Sequence, residues 1–107
     1  MSSREVLKTV LVVDDHDLIR LGICRLLSDV PGINVIDQAA SGEEAIVLVR
    51  KHRPDIVFMD IRMPGIGGLE ATQRILSQQP NTKVIVISAF NDDVYPMTLL
   101  KAGASGY

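Results

Sequence analysis

Three aspartates directly follow apolar runs that are typical of strands in a buried parallel sheet. Asp14 and Asp15 follow residues 9–13, and Asp60 follows residues 56–59. In an open parallel sheet, ligands bind in the crevice at the carboxyl ends of the strands. If these two strands are neighbours, the three carboxylates meet there and repel one another unless a cation joins them. Because Mg²⁺ prefers oxygen ligands, the sequence predicts an Mg²⁺ site made by these aspartates and a backbone carbonyl from the loop after Asp60.

Asp60 has the position that a nucleophile would need. Residues 63–65 read Met-Pro-Gly and turn the chain shortly after it. A carboxylate that a metal holds beside an incoming phosphoryl group can attack that group and form an aspartyl phosphate. Ser88 follows the apolar run 84–87 and would add a hydroxyl donor at the same edge of the sheet. Catalysis would come mainly from positioning and charge neutralisation, so this site needs no glycine-rich phosphate loop.

Helices are predicted to alternate with the strands that carry these side chains. Asp17 is the predicted cap of the first helix, which stops before Pro31. Its apolar stripe consists of Leu18, Ile19, Ile23, Leu26 and Leu27. A capping box of Ser41 and Glu44 opens the second helix, which is expected to reach about Lys51. The predicted strands are residues 9–13, 33–40, 56–59 and 84–87; residues 65–68 form a loop before the third helix, and the fourth helix runs to residue 103.

Strands that are apolar throughout predict a parallel sheet buried on both faces by helices. The fold class predicted is therefore α/β, with a flavodoxin-like doubly wound parallel sheet of strand order 2-1-3-4-5. Residues 104–107 only begin a fifth strand, so the sheet is expected to be C-terminally truncated in strand five. The 107 residues fit a single domain, residues 1–107.

Composition excludes several classes of function. The net charge is −2, with no basic patch, so direct nucleic-acid binding by this chain is not expected. There is no apolar run long enough to span a membrane and no signal peptide, which predicts a cytoplasmic protein without membrane association. Cys24 has no second cysteine to pair with and is expected to act as a small core residue. His16 lacks a His or Cys partner at metal spacing, so a solvated or hydrogen-bonded role is expected rather than a ligand role.

Four ordered motifs resemble the receiver domain of bacterial two-component response regulators. They are residues 12–16 (VVDDH), 58–65 (FMDIRMPG), 88–89 (SA) and 102–107 (AGASGY). Further residues are similar to the NarL/FixJ family and, within it, to the GacA-type global activators: Asp15-His16, Arg20 with Gly22, residues 42–45 (GEEA) and residues 65–72 (GIGGLEAT). The resemblance implies Asp60 as phosphoacceptor, Asp15 and Asp60 as direct Mg²⁺ ligands, and Asp14 as a ligand through water. It further implies the Arg62 backbone carbonyl as a metal ligand, Ser88 as the switch hydroxyl and Tyr107 as the switch aromatic.

The resemblance also implies a function and a departure from it. Receiver domains are not enzymes in their own right: a partner sensor histidine kinase phosphorylates them, and they control an output domain that binds DNA. The family carries a lysine three residues beyond the position of Tyr107, where this chain has already ended, and Lys101 falls in the predicted fourth helix. The lysine, the fifth helix and the DNA-binding domain are therefore expected to be missing, and the rate of phosphorylation and signal transmission should suffer more than metal binding.

Two other functions use the same residues or the same fold. A hydrolase with an aspartate nucleophile usually has a second acid two residues after the first, but Arg62 stands there. The stronger alternative is a truncated receiver core that acts as a non-signalling interaction or dimerisation fragment. Without a fifth helix, the sheet face that includes part of residues 10–13 would lack cover, which predicts a homodimer, with exchange of a terminal element between copies as one route.

Overall fold

The computed structural model describes residues 7–61, 63 and 65–87. Strands and helices alternate along this part of the chain. The elements are β1 (Lys8–Val13), α1 (Asp17–Ser28), β2 (Ile33–Ala39), α2 (Gly42–His52), β3 (Ile56–Asp60), α3 (Gly67–Gln78) and β4 (Lys83–Ile87). The predicted fourth helix and fifth strand lie outside the described residues, as do Arg62, Ser88 and Tyr107.

The described strands form one parallel sheet in the order β2-β1-β3-β4. β1 lies between β2 and β3, with Val13 opposite both Ala39 and Met59. β4 pairs with the other edge of β3, where Asp60 lies opposite Ile87. The predicted flavodoxin-like α/β fold is thereby confirmed, with the first four strands in the predicted order.

The two faces of the sheet are covered unequally. On one face, α2 and α3 bury Leu11, Val13, Val57 and Met59 almost completely. On the other face, α1 packs over Val10 and Val12 through Cys24. Because β1 is the central strand here, Val10 and Val12 are fully buried, and the expectation that this face of β1 lacks cover was wrong.

Burial on both faces was also predicted for β3, and there the prediction was only half right. Val57 and Met59 are fully buried, whereas Ile56 and Phe58 on the opposite face are only partly buried. These two side chains pack at the margin of the smaller cluster beneath α1. An apolar run thus predicted the strand, but its sequence did not show that the two faces differ.

The face that α1 turns to the sheet matches the predicted stripe only in part. Ile23, Cys24 and Leu27 pack against β1, while Leu18 and Leu26 are 83% and 72% exposed. A helix with apolar residues on several sides offers more than one stripe of helical spacing, and tertiary contacts choose between them. Asp17 is the first helical residue rather than the cap; His16 holds the cap position without a side-chain capping bond.

The second and third helices begin with short-range contacts. The Oγ of Ser41 accepts a hydrogen bond from the Glu44 amide at 3.1 Å, as the capping box predicted. The Glu44 carboxylate reaches one residue further back than expected and accepts from the Ala40 amide at 2.7 Å. α3 starts at Gly67, so Gly68, which was predicted in the preceding loop, lies in its first turn.

No helix in the described ranges is long and apolar enough to cross a membrane.

A polar clasp joins β1 and β3 at the end opposite the aspartates. Oδ2 of Asp55 accepts hydrogen bonds from the amide and the hydroxyl of Thr9, at 2.9 and 3.1 Å. The Asp55 amide donates to the Thr9 hydroxyl at 3.0 Å. The Thr9 amide, followed by its hydroxyl and the charge of Lys8, holds the pKa of Asp55 below its ordinary value of 3.8. The clasp aligns the two strands whose other ends carry the acidic residues.

We predict that Asp55→Asn lowers the free energy of unfolding at neutral pH by about 1 kcal/mol, since exposed hydrogen bonds contribute little more. The folded-state pKa of Asp55 is depressed, so its contribution is complete above the unfolded value of 3.8 and is lost as the pH falls through the folded value. Urea unfolding of both proteins across the acid range measures this. Asp29→Asn, at the exposed end of α1, is the control. A difference between wild type and Asp55→Asn that does not change with pH would contradict the assignment.

Candidate functional site

The pairing of β1 with β3 brings the predicted acidic residues to one edge of the sheet. Val13 lies opposite Met59, so the residues that follow them, Asp14 and Asp60, lie at the same height along the two strands. One side-chain ligand atom from each of Asp14, Asp15, His16 and Asp60 lies within 4.8 Å of all the others. We call these four residues the acidic cluster. It combines the three predicted aspartates with a histidine that was not predicted to take part.

The aspartates of the acidic cluster differ in burial and in partners. The Asp14 side chain is only 7% exposed, and its Oδ1 accepts a hydrogen bond from the His16 amide at 2.8 Å. The Asp15 side chain is 26% exposed, yet its Oδ1 is buried and accepts no hydrogen bond from the residues that the structure describes, although Nδ1 of His16 lies 3.0 Å away. A buried carboxylate oxygen without a donor is costly unless a cation satisfies it.

The donor set fits Mg²⁺. Two oxygens on opposite sides of an octahedral Mg²⁺ ion lie about 4.2 Å apart, since each is about 2.1 Å from the metal. Ligand atoms that already lie within 4.8 Å of one another need only small movements to reach that spacing. The buried Oδ1 of Asp15, which accepts no hydrogen bond from the described residues, adds a further acceptor to this donor set. Asp14, Asp15 and Asp60 are therefore the residues that would hold the ion.

His16 contacts both neighbouring carboxylates. Its Nδ1 lies 3.2 Å from Oδ1 of Asp14 and 3.0 Å from Oδ1 of Asp15. The hydrogen bond with Asp14, then the charge of Asp15 and more weakly those of Asp14 and Asp60, raise the pKa of His16 above 6.5. The ring is nevertheless 63% exposed, which agrees with the hydrogen-bonded and solvated role expected from sequence.

Arg20 holds the loop that carries Asp14 and Asp15 in place through hydrogen bonds. Its guanidinium donates to the Asp14 carbonyl at 2.7 Å, to the Gln38 side chain at 3.1 Å and to the Asp17 carboxylate at 2.7 Å. The Arg20 side chain is only 14% exposed. A planar group with several fixed donors can join three acceptors in this way. Sequence reasoning missed this role; the available signal was an arginine one turn after Asp17, on the same face of α1 as Ile23 and Leu27.

Comparison with known proteins identifies the family. Residues 10–107 match the response regulator receiver domain. The chain belongs to this family. The receiver-domain chain is 53% identical over 98 residues to the response regulator GacA of Pseudomonas aeruginosa, covering 92% of this chain and 46% of that protein. It thus spans about half the length of the curated relatives it matches.

Solved structures agree with the receiver-domain assignment. A two-component response regulator of the LuxR family from Aurantimonas superposes with a TM-score of 0.91 at 37% identity, covering 94% of this chain and 72% of that one. The signal receiver domain of the putative response regulator NarL from Mycobacterium tuberculosis gives a TM-score of 0.89 at 36% identity, covering 94% and 82%. The resemblance to NarL-type receivers seen in the sequence motifs is confirmed.

The receiver domain packs α3 directly beneath Asp60 by means of a glycine. A Cβ atom on Gly68 would lie 2.5 Å from the Asp60 carbonyl oxygen and 2.6 Å from the Ile61 Cα. The Gly68 amide donates to the Ile61 carbonyl at 3.3 Å. The buried hydroxyl of Thr72 donates to the Gly68 carbonyl at 2.7 Å and holds this turn in place. Gly68 is thus a positioning residue for Asp60, and only the packing of α3 reveals this.

We predict that Gly68→Ala displaces the Asp60 backbone, because the new methyl group meets backbone atoms that cannot turn aside. Overpacking of this kind typically costs about 1–3 kcal/mol of stability, and Mg²⁺ affinity should fall with it. Gly22→Ala is the matched control, since a Cβ there meets nothing within 4 Å. That change should stabilise α1 by about 0.4–1 kcal/mol and leave Mg²⁺ binding unchanged. Chemical unfolding and Mg²⁺ titration of both variants provide the measurement; wild-type values for Gly68→Ala would refute the positioning role.

Proposed function

We propose that this chain, residues 1–107, is a phosphoacceptor receiver domain in which a partner sensor histidine kinase phosphorylates Asp60 in an Mg²⁺-dependent reaction. The observation that carries the proposal is the acidic cluster at the carboxyl ends of β1 and β3, with ligand atoms within 4.8 Å of one another. The buried Oδ1 of Asp15, which accepts no hydrogen bond from the described residues, supports a cation there. Membership of the receiver family supports the reaction class.

The residues of the proposed site divide the work between attack, metal binding and positioning. The Asp60 carboxylate attacks the phosphorus of the donor; a new O–P bond forms while the bond to the donor's imidazole nitrogen breaks. Asp15, Asp60 and the Arg62 backbone carbonyl would bind Mg²⁺ directly, and Asp14 would bind it through water. When bound, Mg²⁺ supplies positive charge against the phosphoryl oxygens. Arg20 and Gly68 keep the two acidic loops in place.

Transmission of the signal is proposed to use Ser88 and Tyr107. The Ser88 hydroxyl would bind a phosphoryl oxygen, and Tyr107 would change its exposure when Ser88 moves. In this proposal the chain is the phosphorylated partner of a kinase rather than an enzyme, acts in the cytoplasm and binds neither nucleic acid nor membrane by itself. A DNA-binding output domain of the longer protein would carry out transcriptional control.

Phosphorylation of Asp60 can be tested with acetyl phosphate as the donor. Incubation with Mg²⁺ should add the mass of one phosphoryl group to the intact protein, and chelation of the metal should prevent it. Asp60→Asn should lose the modification completely because the amide is not a nucleophile, whereas Asp29→Asn should keep it. Intact-mass spectrometry distinguishes these outcomes. An unmodified wild-type protein, or a phosphorylated Asp60→Asn variant, would overturn the proposal.

The alternative role as an interaction fragment has one observation in its favour. Leu18 and Leu21 of α1 are 83% and 54% exposed and line a shallow groove with Gly22 and Cys24. Exposed apolar groups that adjoin one another are typical of association surfaces. The proposed occupant is a second copy of this chain, which would make a homodimer.

Dimerisation through α1 predicts a mass in solution that rises with protein concentration. Leu18→Gln should reduce the dimer fraction because it removes apolar area from the groove. Val47→Gln, which changes a 63% exposed apolar residue of α2, should not. Light scattering coupled to size-exclusion chromatography gives the mass directly. A wild-type protein that stays monomeric at every concentration would exclude this role.

A further inference from the structure

We propose that His16 is a fourth protein ligand of the acidic cluster and gives it affinity for divalent transition ions that coordinate imidazole, such as Ni²⁺ and Zn²⁺. The inference rests on the proposed function to the extent that both use the carboxylates of Asp14, Asp15 and Asp60. It adds a metal specificity that these aspartates alone would not have. A transition ion held in this way would compete with Mg²⁺ for the same carboxylates.

The position of the imidazole supports ligand formation. Nδ1 of His16 lies 3.2 Å from Oδ1 of Asp14 and 3.0 Å from Oδ1 of Asp15. One ring nitrogen of His16 also lies within 4.8 Å of a carboxylate oxygen of Asp60. Two ligand atoms bound to one Zn²⁺ ion at about 2.1 Å each can be no more than about 4.2 Å apart. The nitrogen therefore already lies among the oxygens at nearly the spacing that a shared ion requires.

The local backbone keeps the histidine over the carboxylates. The His16 amide donates to Oδ1 of Asp14 at 2.8 Å, so the residue is fixed on the same oxygen that its ring contacts. Its extended conformation at the cap of α1, with φ −93° and ψ 107°, leads from the loop into the helix. The ring is 63% exposed and can adjust its angle without disturbing the core. The buried Oδ1 of Asp15, which accepts no hydrogen bond from the described part of the chain, offers a second ligand 3.0 Å from the ring.

Ligand chemistry makes the effect of His16 selective. Imidazole suits Zn²⁺, Ni²⁺ and Cu²⁺, whereas Mg²⁺ binds carboxylates, carbonyls and water. A histidine that only occupied the place of a cation would hinder every divalent ion equally. A histidine that acts as a ligand favours the transition ions and leaves Mg²⁺ nearly unaffected. Removal of the imidazole separates these two cases.

The experiment is calorimetric titration of tag-free protein with Ni²⁺ and, separately, with Mg²⁺, at about pH 8, which is above the ordinary imidazole pKa of about 6.5. His16→Gln should lower Ni²⁺ affinity about tenfold or more and change Mg²⁺ affinity less than about threefold. His52→Gln is the matched control, since His52 pairs with Asp37 outside the acidic cluster. It should match the wild type for both ions.

Each result decides between the two proposals. Equal changes in both affinities, or unchanged Ni²⁺ binding in His16→Gln, would overturn the role of His16 while the Mg²⁺ site stands. Wild-type protein that binds Ni²⁺ through His16 but does not bind Mg²⁺ would overturn the proposed Mg²⁺ dependence and leave the role of His16 intact. Wild-type protein that binds neither ion would overturn both.

Discussion

The parallel pairing of β1 with β3 places like charges together, and much of the remaining structure serves to hold them there. Two unit charges about 5 Å apart repel by about 3 kcal/mol at an effective dielectric constant near 20. The strands nevertheless stay adjacent because their side chains fill the centre of the core: Leu11, Val13, Val57 and Met59 are all buried between the sheet and its helices. Each such side chain contributes about 1.5–3 kcal/mol on burial. The hydrophobic core thus stabilises an acidic edge that would otherwise separate.

The acidic residues are supported in two different ways. Asp60 stands on the side where α2 and α3 pack closely, and Gly68 lets the backbone of α3 touch the backbone of Asp60. Gly42 serves the same purpose between the helices, since a Cβ there would lie 2.9 Å from the Ile66 side chain. Asp14 and Asp15 lie instead in a loop held by polar contacts, chiefly from Arg20. The proposed nucleophile therefore sits on a close-packed base, while the opposing ligands sit on a hydrogen-bonded loop.

The unequal cover of the sheet follows from the same arrangement. The face beneath α2 and α3 is closed, whereas α1 leaves Ile56 and Phe58 partly exposed and turns Leu18 and Leu21 to solvent. Exposure concentrated on α1 makes this helix the natural place for a contact with another protein surface. Close packing around Asp60 and an open surface near α1 separate the site of the proposed chemistry from the proposed site of association.

The sequence by itself determined the alternation of strands and helices, the parallel sheet and the acidic residues at the strand ends. These features depend on local apolar patterns and on one topological rule, both of which a linear chain displays. Ser41 could likewise be recognised as a cap, because a capping box involves neighbours along the chain. Family motifs in the chain extended this to the receiver fold.

Only the tertiary structure decided which face of α1 meets the sheet, that β3 is buried unequally, and that Arg20, Gly68 and His16 belong to the site. Arg20 acts through Gln38 and the Asp14 carbonyl, and Gly68 acts through its distance from Asp60. His16 follows the carboxylate pair in sequence, but its ring could have turned to solvent. These contacts join segments whose separation and orientation in space are set by packing, and a pattern of residue types along one chain does not contain that information.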